Sequence, residues 1–151
     1  MTDDALGYLA ITRLQAAYAD VVTRRAWAEL DALFVPDAPI RIDAVTSVPL
    51  DVTGATALGE FIGDAIERFE FFEFVILNTV IELDTADSAH GRLYMVELRQ
   101  ERDTGTWSNA FGLYQDDYVV YDGTWRFARR RYQSLARKSG TDRAAVFPFP
   151  G

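Results

Sequence analysis

Tyr114, Asp116 and Tyr118 stand at alternate positions in the stretch Trp107 to Tyr132. Side chains alternate across a pleated strand, so an extended segment puts all three on one face. A carboxylate between two phenols on a half-buried face is either a satisfied polar network or the floor of a small-molecule pocket. As a network, Asp116 accepts hydrogen bonds from the tyrosines or pairs with Arg130 on the neighbouring strand. As a pocket floor, burial raises its pKa and suits it to general acid or base work. Tyr18 adds a phenol from another part of the chain. Its hydroxyl can donate to a ligand carbonyl or a developing enolate, or simply meet a backbone carbonyl. Asp43, beside Arg41 at the end of a short strand, is a second carboxylate for proton transfer or an exposed strand end. Asn78 interrupts an otherwise apolar alternation, Phe74, Ile76, Val80, and a buried amide there needs a partner. Tyr94, mid-strand, is either cavity lining or core. These seven residues are the candidate site: Tyr18, Asp116 and Asp43 for catalysis, Asn78, Tyr94, Tyr114 and Tyr118 for ligand binding.

The elements that must position them are legible from periodicity. Leu6, Leu9, Leu14, Tyr18 and Val21 recur at helical spacing and predict an amphipathic helix over about 4–24, with Tyr18 on its apolar stripe. Trp27, Leu30 and Leu33/Phe34 predict a shorter second helix ended by Pro36. Short strands follow at about 40–45 and 48–52, then a third helix at about 56–69. From Phe71 onward the period becomes two. Long strands are expected at about 72–83, 89–102, 107–121 and 124–135, joined by tight turns. Asp122-Gly123 is a type I′ hairpin signal. Four hairpin-linked strands form a twisted antiparallel sheet, and three helices need its apolar face. The expected fold class is α+β: a cone-shaped two-layer domain over 1–138, with a cavity that three helices cannot fill. The tail, 139–151, is a lid or a dimer contact.

Composition narrows the classes. The 151 residues suffice for one domain with its own core. A net charge of −8 disfavours nucleic acid and anionic membranes as partners. No run approaches the ~20 apolar residues of a membrane span. Acids in the first residues, where a signal peptide carries bases, lead us to expect a cytoplasmic protein. The absence of cysteine removes disulfides and thiolate chemistry. No His/Asp/Glu cluster has metal-ligand spacing and no glycine-rich phosphate loop follows a strand, so neither metal nor cofactor is expected. His90, the sole histidine, reads as a turn residue.

Four stretches in order, Ala17-Tyr18-Ala19-Asp20 with Trp27 to Ala38, then Ile40 to Asp43, then Ala89 to Tyr94, then Gly112 to Arg130, resemble the nuclear transport factor two-like superfamily. Within it they are most similar to the SnoaL-like and scytalone dehydratase-like branch, whose members include dehydratases, isomerases, cyclases and plain binding subunits. The resemblance implies a cyclic, oxygenated apolar ligand, a homodimer through the outer sheet face, and lyase or isomerase chemistry; the alternative is a non-catalytic binding or assembly module. Dehydratases of the branch carry a histidine near the start of the third strand and an Asp five residues after the helix-one Tyr. Here the stretch Phe74 to Asn78 has no histidine, and Thr23 takes the place of the Asp.

Overall fold

The computed structural model describes residues 2–150. Helix α1 spans Asp3–Arg24. Thr2 Oγ1 accepts from the Ala5 amide, Asp3 and Asp4 face the positive end of the helix, and Arg25 ends it in the left-handed conformation. The second helical segment, Trp27–Leu33, is a 3-10 helix. Strands β1 (Pro39–Asp43) and β2 (Leu50–Thr53) precede helix α2 (Ala55–Ile66). The expected third helix therefore ends earlier: Phe69 opens β3 (Phe69–Leu83) instead of closing the helix. Strands β4 (Ser88–Glu101), β5 (Trp107–Tyr121) and β6 (Thr124–Ser139) follow, with a short β7 (Ala145–Val146).

The sheet runs β2-β1-β6-β5-β4-β3, antiparallel except where β1 lies parallel to β6. Asp122 and Gly123 both have positive φ, as a type I′ hairpin requires. The helices cover the concave face, and the core between the layers is rich in rings: Tyr18, Phe34, Phe74, Tyr114, Tyr118 and Phe127. Tyr18 packs edge-on against Phe34, Phe74, Tyr114 and Phe127, with centroids 5.5–6.2 Å apart.

Bulges decide which residues look inward. Along β3 the register jumps from Ile76 opposite Met95 to Asn78 opposite Tyr94, leaving Leu77 unpaired. Parity flips there, so Phe74 and Ile76 face the core but Asn78 faces out and is exposed. Strand β6 carries two further shifts, which put Phe127, Arg130 and Arg137 on the concave face despite their uneven spacing. The tail crosses the convex face: the Phe147 amide donates to the Leu135 carbonyl, Gln133 Nε2 donates to the Pro148 carbonyl, and Phe149 stacks on Tyr94. It does not close over the concave side.

Candidate functional site

The concave face of β5 reads Ser108, Ala110, Gly112, Tyr114, Asp116, Tyr118, from small to large. Phenols fill the closed end of the cone; toward the mouth the small residues leave room. Gly112 is required there, because a Cβ would sit 2.1 Å from Cε1 of the Tyr132 ring that lies across it. The result is a cavity of about 180 Å³. Its walls are Tyr18 and Val22 of α1, Ile40 and Ile42 of β1, and Leu58, Phe61 and Ile62 of α2; its floor is Phe74, Glu97, Ala110, Tyr114 and Tyr132, with Arg99, Arg130 and Arg137. An apolar cavity of about 150 Å³ holds benzene, so this one has room for a single ring. A second hollow, bordered by Leu9, Leu14, Leu33 and Trp125, presents neither carboxylate nor phenol.

The structure brings Tyr18 and Tyr114 to this cavity, with ring centroids 6.2 Å apart. Burial holds both hydroxyls protonated, raising their pKa above that of free tyrosine, Tyr114 the further. Both are therefore donors at neutral pH.

Asp116 and Tyr118 lie deeper, in a network that is nearly closed. Arg130 Nε donates to Asp116 Oδ1 at 2.8 Å and Arg130 Nη2 donates to Oδ2 at 3.0 Å. The Tyr118 hydroxyl also donates to Oδ2, and itself accepts from Gln15 Nε2 at 2.8 Å. Gln15 Oε1 in turn accepts from Thr79 Oγ1. The Arg130 guanidinium is held 3.9–4.4 Å from the ring centroids of Tyr18, Tyr114 and Phe127. Burial pushes the Asp116 carboxyl up and Arg130 pulls it back. Three donors on its two oxygens make the ionised pair the state this geometry holds. Both members are almost wholly inaccessible, and the carboxylate has no free oxygen to offer a ligand.

The other candidates lie elsewhere. Asp43 Oδ1 accepts from the Val45 amide in a surface turn, away from the cavity lining. Asn78 faces out because of the Leu77 bulge, and Tyr94 faces out beneath Phe149. Thr23, in the place where the resemblance implies an Asp, has its Oγ1 accepting from the Phe74 amide at 3.0 Å, beside the Phe74 to Asn78 stretch that holds no histidine.

Glu97 is the residue that sequence reasoning missed. Among the described residues it is the only carboxylate lining the cavity, and its side chain keeps 23% of its surface accessible. Its one hydrogen bond among the described residues is a long one, 3.5 Å from Arg99 Nη1. Burial pushes its carboxyl up, opposed by Arg99 and Arg137. The signal was present: in Val96-Glu97-Leu98-Arg99, parity puts Glu97 and Arg99 on the core side of β4, opposite Tyr94 and Val96. Among the described residues there is no cluster of metal-ligating side chains, and no helix is long and apolar enough to cross a membrane.

Known proteins share this fold. The family model described as the SnoaL-like domain matches residues 3–131. A candidate scytalone dehydratase from Novosphingobium aromaticivorans superposes with a TM-score of 0.80 at 23% identity, over 95% of this chain and 94% of its own. LinA superposes at 0.81 with 18% identity, over 98% and 97%. The LinA-type3 hexachlorocyclohexane dehydrochlorinase from Novosphingobium barchaimii gives 0.79 at 18% identity, over 97% and 98%. No curated protein matches the sequence. These likenesses carry the cone fold, and the family match over most of the chain, together with a phenol-lined cavity between helices and sheet, places the protein in the SnoaL-like family.

Proposed function

We propose that this protein is a lyase or isomerase that moves a proton α to a carbonyl of a one-ring, oxygenated, largely apolar compound, using its own side chains. The observation that supports this is Glu97: a single loosely held carboxylate in a cavity otherwise lined by apolar groups, phenols and guanidinium groups. Tyr18 donates to the ligand carbonyl. Glu97 takes the α proton, and the C–H electron pair moves onto the carbonyl oxygen as an enolate stabilised by the phenol. In a dehydratase the enolate collapses, the β-hydroxyl leaves with the proton returned by Glu97, and water departs. In an isomerase the same proton returns to a different carbon. Raising the Glu97 pKa by burial brings its basicity closer to working pH. Asp116 then serves by fixing Arg130 and the phenols around it, and Asp43 takes no part.

The second reading is a non-catalytic binding module, favoured by Thr23 standing where the resemblance implies an Asp, beside a Phe74 to Asn78 stretch without the implied histidine. One experiment separates them. Wild-type protein is incubated in D₂O with 3-hydroxycyclohexanone, following 2-cyclohexenone by absorbance and α-deuteration by NMR. Turnover or exchange that falls about 10²-fold or more in Glu97→Gln supports the enzyme. Ligand retained without exchange supports the binding module. The reading also includes a homodimer through the convex face, where Phe71 stacks on Trp107 and Leu77 and Phe111 are exposed. Sedimentation at micromolar concentration checks it, a monomer being the contrary result.

A further inference from the structure

We propose that the mouth of the cavity is a carboxylate-binding subsite formed by Arg99 and Arg137, and that the ligand is a single ring bearing one carboxylate. This deepens the reading of the cavity as the ligand site but is independent of which reaction follows.

Strand register sets the geometry of the mouth. Glu97 of β4, Ala110 of β5 and Arg137 of β6 lie side by side on the concave face, and the next row toward the rim pairs Arg99 with Ser108. Strands are about 4.8 Å apart, so Glu97 and Arg137 begin two spacings, about 10 Å, from each other. Between them stands only the methyl group of Ala110. That gap is where the cavity floor is open.

Charge supplies the second step. Two guanidinium groups border the gap against one carboxylate, an excess of one positive charge in a wall that is otherwise apolar. Arg130, also on the cavity lining, is already neutralised by Asp116 and does not alter the sum. The hydrogen bonds of the two mouth arginines are mostly long. Arg137 Nη1 donates to Thr46 Oγ1 at 3.4 Å and Nη2 donates to Ser134 Oγ at 3.3 Å, while its buried Nε has no partner. Arg99 Nε donates to Ser108 Oγ at 3.0 Å, and Nη1 reaches Glu97 at 3.5 Å. Its guanidinium lies over the Phe69 ring, Cζ 4.8 Å from the centroid. The half-buried Arg137 guanidinium, bonded only to hydroxyls, carries an unmet demand for an anion. A planar carboxylate matches the guanidinium fork, and the adjoining wall of Ile40, Ile42, Phe61 and Ile62 suits the ring behind it.

The test is calorimetric titration of the full chain with benzoate and with benzamide, its neutral isostere, at neutral pH and low salt. Benzoate is expected to bind at least about tenfold tighter. Arg137→Gln should erase the preference, and Glu97→Gln, which removes the competing carboxylate, should tighten benzoate by about threefold or more. The glutamate variant keeps the test alive if the arginine variant fails to fold. Equal binding of the two probes, no binding of benzoate, or weaker benzoate binding in Glu97→Gln overturns the subsite. Deuterium exchange into 3-hydroxycyclohexanone, a neutral probe, is read in parallel. Benzoate preference without exchange sinks the lyase reading and leaves the subsite standing; exchange without preference does the reverse.

Discussion

The two ends of the concave face hold the same kinds of residue in opposite states. At the closed end Asp116, Arg130, Tyr118 and Gln15 are buried together, and each carboxylate oxygen has its donor. At the mouth Glu97, Arg99 and Arg137 share one contact of 3.5 Å, and the buried Arg137 Nε has none. In the first group both oxygens of the carboxylate are spent on the fold, and only Arg130 Nη1 lacks a partner. The second retains capacity for something that is not protein. A buried carboxylate is thus a functional clue when its donors are missing, and a structural one when they are all present.

The sharpest way to break this contrast is at the closed end. Asp116→Ala strands the Arg130 charge among three aromatic rings and is expected to cost about 3–5 kcal/mol, read from urea unfolding. A variant that unfolds like wild type but loses ligand would reverse the roles of the two regions.

Glu97→Gln should do the opposite, lowering turnover about 10²-fold or more while leaving the fold intact. The sign of its effect on stability follows from linkage. The folded pKa is raised, so this group's stabilising contribution is full below its unfolded value near 4.5 and is lost as pH rises through the folded value. At pH 7 the ionised carboxylate is therefore a net burden, and the amide is expected to melt at the same temperature or higher. Turnover itself should fall as pH drops through the raised pKa, since the base must be ionised.

Gly112→Ala tests the boundary between the regions. The added methyl group displaces the Tyr132 ring, which cannot retreat because Tyr114 packs 4.9 Å away on centroids. A loss of about 1–3 kcal/mol is expected together with weaker ligand binding, because the ring is driven into the cavity. A folded, fully binding variant would show that the floor is more pliable than its packing implies.

The smallest effect lies outside both regions. His90 Nδ1 is 2.9 Å from Asp84 and Nε2 is 3.2 Å from Glu82, and chiefly the Asp84 bond raises its pKa above 6.5. Its small stabilising contribution is complete below 6.5 and lost as pH rises through the folded midpoint. NMR titration should find that midpoint elevated, and Asp84→Asn should return it toward 6.5. Because the group is exposed, none of this should alter ligand affinity.

Periodicity alone carried the architecture. The helical stripe through Tyr18, the switch to period two after Phe71 and the Asp122-Gly123 turn leave little freedom once an apolar sheet face must be covered. The pocket floor expected at Asp116 lies instead beside Ala110, where β5 carries its small residues. The same pattern told that Tyr114, Asp116 and Tyr118 share a face, and they do.

What it could not tell was which polar groups would find one another. Pairing of Asp116 with a tyrosine or with Arg130 was legible, but that Arg130 and Tyr118 both bond it, and that Gln15 arrives from α1 to complete the network, only the structure shows. Asn78 turns outward because Leu77 bulges, a one-residue slip that reverses a strand's faces and leaves no mark in a period-two pattern. Glu97 gains its significance only when β4, β5 and β6 align it with Ala110 and Arg137. Sequence fixes periodicity because that is a property of neighbours along the chain; satisfaction of a buried charge is a property of neighbours in space, and only the tertiary structure assigns those.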